Sequence, residues 1–73
     1  MYVGKISSMM KMKTTRIREI TPGAIIWYPM ELYFIVSISP CAGENRSIQF
    51  FRFRNQEIIF SVYSENDRFD VIQ

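Results

Sequence analysis

From residue 24 onward, apolar and polar positions alternate with a period of two, the spacing that places one side-chain set on each face of a β-strand. Pro22-Gly23 precedes this region and predicts a turn, because proline presets φ at the second turn position and glycine accepts the positive φ that a type II turn needs next. Ala24-Ile25-Ile26-Trp27-Tyr28 is rich in β-branched and aromatic residues and too short for a helix; Pro29 ends it. In residues 32–39, Leu32, Phe34, Val36 and Ile38 share one face and Tyr33, Ile35 and Ser37 the other, and the first set is expected to face the core. Residues 40–46 contain Pro40, Gly43 and Asn45 and predict a loop into a strand over 47–54, so the two strands pair as a hairpin. Asn55-Gln56-Glu57 makes the next turn. Residues 58–63 resume the alternation with Ile58, Phe60 and Val62 on one face. A polar turn at 64–67 leads into residues 68–72, where Phe69 and Val71 point inward and Asp70 outward.

The first twenty residues fit two patterns. As a strand, Met10 and Met12 alternate with Lys11 and Lys13, and Thr15 and Ile17 with Arg16 and Arg18. As a helix, Ile6, Met10, Ile17 and Ile20 fall near one stripe, which Lys13 interrupts and Thr14-Thr15 disfavours. The strand, from about residue 10 to 20, is the expectation. Met9, Met10 and Met12 are alternative starts, so residues 1–9 read as a flexible N-terminal extension and residues 10–73 as a single small β domain.

Short strands with turns every 8 to 12 residues are the signature of a small barrel or meander. The run Ile20-Thr21-Pro22-Gly23-Ala24-Ile25-Ile26-Trp27-Tyr28, followed by Tyr33-Phe34-Ile35-Val36-Ser37, resembles the opening of SH3-like small β-barrels, where a Pro-Gly turn launches the first core strand. Those barrels often carry an acid just after the glycine, where this chain has Ala24. The resemblance extends to about residue 72 as strand pattern only. It implies an all-β fold, either a single SH3-like barrel or a strongly twisted antiparallel meander of about five strands, and a fold of this kind fixes no function.

Composition narrows the chemistry. At 73 residues the chain supports one core, and with 48% hydrophobic residues it has the apolar mass to fold. With no histidine and Cys41 as the single cysteine, neither a His/Cys zinc site nor an intrachain disulfide can form; no metal and no cofactor are expected. Cys41 has no neighbouring basic residue in sequence to activate it as a nucleophile. The acids are scattered, the nearest group being Glu65, Asp67 and Asp70 in and beside a turn, and Gly4, Gly23 and Gly43 are too far apart for a phosphate cradle. No catalytic residues emerge, and an enzyme is not expected. The start lacks a signal-peptide pattern, and residues 24–38 are too short and too interrupted to span a membrane, so a cytoplasmic protein without membrane contact is expected.

The net charge of +2 divides into +5 on residues 1–18 and −3 on the remainder. Such a basic arm suits an anionic partner, and equally suits an edge strand whose lysines discourage sheet-to-sheet association. In Phe50-Phe51-Arg52-Phe53-Arg54, Phe51 and Phe53 share one face and Phe50, Arg52 and Arg54 the other. An exposed Phe50 beside Arg52 and Arg54 can anchor a protein partner or stack on a nucleic-acid base; the alternative places one Phe pair in the core with the arginines solvated or paired. Trp27, Tyr28 and Tyr33 around Pro29 either form an aromatic groove for extended proline-rich ligands or fill the barrel. The leading expectation is a non-enzymatic protein-interaction module, such as a small phage or mobile-element inhibitor or adaptor, binding through Phe50, Arg52, Arg54, Trp27, Tyr28 and Tyr33. The alternative is a nucleic-acid binder using Lys11, Lys13, Arg16, Arg18, Arg52 and Arg54, against which a charge of only +2 argues. A free strand edge would also permit a homodimer.

Overall fold

A computed structural model describes residues 11–73; the expected extension at 1–9 lies outside the described residues. Six antiparallel strands form one sheet: β1 (Met12–Arg16), β2 (Ile25–Trp27), β3 (Leu32–Pro40), β4 (Asn45–Arg52), β5 (Glu57–Ser64) and β6 (Arg68–Ile72). Their order across the sheet is β1-β6-β2-β3-β4-β5. Strands β2 to β5 are the meander expected from the alternation. The sixth strand comes from the basic segment, which is shorter than expected: Arg16 hands over to a single 3-10 turn, Ile17–Glu19, that buries Ile17.

Turn chemistry sets the connections. Ala24 N–H donates to the Thr21 carbonyl at 3.3 Å across Pro22-Gly23, with Gly23 at φ +97°, the conformation a type II turn requires. The β4–β5 turn occupies residues 53–56, with Gln56 at φ +59°, so Phe53 and Arg54 sit at a hairpin tip and not within a strand.

The sheet is not closed, but it curls. Phe69 of β6 meets Tyr63 of β5 at 5.1 Å and Phe50 of β4 at 6.0 Å between ring centres, although β6 is paired with neither strand. Backbone bonds from Ile17 to the Asp67 carbonyl and from Arg18 to the Glu65 carbonyl tie the 3-10 turn to the β5–β6 turn. The concave side holds the core: Ile17, Ile20, Ile26, Tyr33, Ile35, Ile48, Phe50 and Phe69.

The face of β3 is the reverse of the expectation at its start. Tyr33 and Ile35 are buried, whereas Leu32 and Phe34 are half-buried on the convex side and Val36 is exposed. The register supplies the reason. Ile35 pairs with Phe50, but Ser37 pairs with Gln49, so Val36 is an extra residue at a β-bulge. The bulge changes the phase, and Ile38, opposite buried Ile48, packs on the core as expected.

Candidate functional site

The convex side of β2 to β5 is apolar as well. Ile25 pairs with Phe34, Phe34 with Phe51, and Phe51 with Ile58, which makes one unbroken apolar row across four strands. Beside the row lie Phe60 and Val62 of β5, and Phe53 at the hairpin tip stacks edge-on against Phe51 at 5.4 Å. Phe60 is 69% exposed, Val62 56%, Ile58 48% and Phe53 43%. The polar residues among these outward positions are uncharged: Ser37 donates to Gln49 Oε1 at 3.1 Å, with Ser39 and Ser47 beyond. Among the described residues, the outward positions of β2 to β5 carry no charge at all. Scattered apolar side chains are ordinary on a surface; a contiguous patch without charges is the composition of an interface centre.

The residues singled out from sequence fall in several places. Phe50 is 3% exposed and packs against Tyr33, Tyr63 and Phe69, so it fills the core and is not available to a partner. Its strand position gives the reason: it lies between Ile35 and Ile59 on the concave face, and Phe51 takes the convex side. Arg52 also lies on the concave face, opposite Tyr33, where its Nε and Nη2 donate to the two carboxylate oxygens of Glu31 at 2.8 and 2.9 Å. That two-pronged bond holds the Glu31 carboxyl below its ordinary range, against the opposing effect of desolvation, and raises Arg52 above its own. Arg52 therefore braces the β2–β3 turn against the end of β4. Arg54 is exposed at the tip, with no ion pair to another described residue.

Trp27, Tyr28 and Tyr33 do not assemble as one group. Trp27 pairs with Leu32 and shares the convex side with Phe34, while Tyr28 and Tyr33 turn to the concave side. There Tyr28 packs on Phe69 at 4.9 Å and on Tyr63 at 6.3 Å. Tyr28, Tyr33, Phe50 and Tyr63 line a cleft of about 40 Å³, room for a water or two and far below what a small-molecule ligand occupies. Burial raises the Tyr63 phenol above its ordinary pKa.

Of the basic residues, Lys13 and Thr15 border a shallow depression on the concave side of β1 together with Glu19 and Gln73. Arg16 is bonded to Glu19 at 3.1 Å. Lys11, Lys13 and Arg18 are exposed without an ion pair to another described residue. Arg52 and Arg54 come from the β4–β5 hairpin, while Lys11, Lys13, Arg16 and Arg18 come from β1 and its flanks at the other end of the strand order; within β1, Lys13 opposite Val71 and Arg16 opposite Arg68 lie on different faces. Among the described residues no cluster of three metal-ligating side chains occurs, and no helix is long and apolar enough to cross a membrane.

The convex face was missed by a sequence reading that sought one core face per strand. Its signal was present: Phe51-Phe53, Phe34 and Ile58-Phe60-Val62 make these strands apolar on both sides. Comparison of the chain with known protein families gives no match, and comparison with curated proteins gives none.

Proposed function

We propose that the protein is a non-enzymatic protein-interaction module whose convex face, centred on Phe34, Phe51, Ile58 and Phe60, docks on a partner protein. The observation that carries this reading is the apolar row across β2 to β5, flanked by exposed phenylalanines and free of charge. Such a face gains from dehydration on contact, and aromatic residues form the anchors of interface hot spots. Arg54 at the tip belongs to its rim. Occlusion of a partner's surface in the cytoplasm, as small phage or mobile-element inhibitors and adaptors act, is the corresponding mode of action.

The test pairs two measurements on the full chain. Binding to random single- and double-stranded DNA and RNA is measured across a salt series, with no micromolar binding expected. Capture from cell extract then compares wild type, a Phe51→Ser/Phe60→Ser face variant and a Lys11→Ser/Lys13→Ser variant. A protein retained by wild type and the lysine variant and lost by the face variant supports the reading. Micromolar nucleic-acid binding with a steep salt slope, abolished in the lysine variant and kept in the face variant, overturns it in favour of phosphate contacts by Lys11, Lys13 and Arg18.

A further inference from the structure

Among the described residues the sheet has two unpaired edges, and they differ. β1 has five residues, and with Lys11, Lys13 and Arg16 in and beside it two copies meeting there would bring like charges together. β5 has eight residues, and its only charged residue is Glu57 at its beginning. Among the described residues it has none of the usual protections of an edge: no proline, no bulge and no lysine.

The direction of its backbone groups follows from the ladder. Cys41 N–H donates to the Asn45 carbonyl, so odd residues of β4 address β3 and even ones address β5, as the bond from Glu65 N–H to the Glu44 carbonyl shows. Even residues of β4 pair with odd residues of β5. The backbone groups of Ile58, Phe60 and Val62 therefore point away from the sheet, with no partner among the described residues. The same three residues carry the most exposed large apolar side chains of the convex face.

We propose that β5 pairs antiparallel with β5 of a second copy about a two-fold axis at Phe60, joining two six-stranded sheets into one. The axis places Phe60 opposite its own copy and Ile58 opposite Val62. About six backbone hydrogen bonds form between these three pairs. The neighbouring in-phase register, centred one residue later, sets Glu57 against Glu65 of the other copy, whose carboxylate is already held by Arg46 at 2.7 Å, so that register gains no ion pair there. In the register at Phe60, Glu57 meets Tyr63, and the hairpin tip bearing exposed Arg54 lies beside the turn bearing exposed Asp67; Glu65 of that turn is held by Arg46 at 2.7 Å. Arg54 and Asp67 face each other at both ends of the seam. Edge pairing leaves the convex faces open and doubles their area, so the dimer does not depend on what those faces bind.

Sedimentation equilibrium of the full chain reads the inference directly, with a concentration-dependent dimer expected. Phe60→Lys sets two ammonium groups across the axis and is expected to weaken the dimer by about a hundredfold. Since Phe60 is 69% exposed, the variant is expected to keep the wild-type circular dichroism. Register is read by cysteine cross-linking in a Cys41→Ser background. Phe60→Cys is expected to link to itself on mild oxidation, and Ile58→Cys to link to Val62→Cys but not to itself. A monomer at all concentrations, a dimer indifferent to Phe60→Lys, or self-linking of Ile58→Cys without that of Phe60→Cys overturns the inference. A monomeric result leaves the convex-face reading standing, because that reading is measured by partner capture.

Discussion

Phe50 and Phe60 lie on neighbouring strands, and the structure assigns them opposite work. Phe50 is 3% exposed and touches the rings of Tyr33, Tyr63 and Phe69, whereas Phe60 is 69% exposed on the convex side. Truncating Phe50 to alanine removes a ring that buries about 150 Å², worth ~4 kcal/mol at about 25 cal/mol per Å². That falls within the about 3–5 kcal/mol that Phe→Ala costs in cores. A domain of this length has a total stability on the order of 4–10 kcal/mol. Phe50→Ala should therefore lose from about two-fifths to all of it, and Phe50→Leu, which keeps most of the volume, less than about 1.5 kcal/mol. Phe60→Ser should change the stability of the monomer by no more than about 0.5 kcal/mol. Urea unfolding followed by circular dichroism checks all three, at a chain concentration low enough to keep association out of the balance. With a slope of about 1 kcal/mol per molar, the Phe50→Ala midpoint moves down by roughly 4 M or the variant is unfolded without urea. If Phe50→Ala lost less than about 1 kcal/mol, or Phe60→Ser lost as much as Phe50→Ala, the assignment of concave core and convex surface would be refuted.

The Glu31 carboxyl, held below its ordinary range by the Arg52 hydrogen bonds, contributes stability that is fully present above the unfolded glutamate value. That contribution is lost as pH falls through the lower folded value; Glu31→Gln should accordingly flatten the decline of stability as pH falls below the ordinary glutamate value, measured by urea unfolding. Gly23→Ala should cost about 1 kcal/mol in thermal unfolding, from the φ of +97° alone, since an added Cβ meets nothing within 4 Å. Met30 occupies φ +64° and is 84% exposed, so Met30→Gly should stabilise by roughly 0.5–1 kcal/mol in the same assay.

How much was legible in the chain depended on whether a residue's environment is set locally. The Pro22-Gly23 turn was readable because a type II turn needs a positive φ at a fixed position, and Gly23 adopts it. β6 was readable to its ends because Phe69 and Val71 alternate with charged Arg68 and Asp70, so only one face is fit for burial. Neither condition held in β3. Leu32, Tyr33, Phe34, Ile35 and Val36 are apolar on both faces, and the face that is buried is selected by the partner strand, where Ile48 and Phe50 lie opposite Ile38 and Ile35. No residue type announces the bulge at Val36. A period-two count across it must place either Ile35 or Ile38 on the wrong side.

The same ambiguity explains why the candidate site was not read from sequence. Arg52 and Arg54 stand out in a linear string because charge beside phenylalanine is conspicuous, yet in three dimensions Arg52 is matched by Glu31 and serves the fold. The apolar row from Ile25 through Phe34 and Phe51 to Ile58 draws its members from four strands, so it exists only once the registers are set. A sheet that closed into a barrel would have one core and could afford a polar outside. Here the sheet stays open, its concave side is filled by its own rings, and its convex side repeats the apolar composition with no second layer over it among the described residues. Bare apolar surface of this kind beside the undefended β5 edge is an aggregation hazard for a solitary chain. Under the two proposals that hazard is removed in different ways, in one by pairing the β5 edge with another β5 edge and in the other by covering the convex face with a partner.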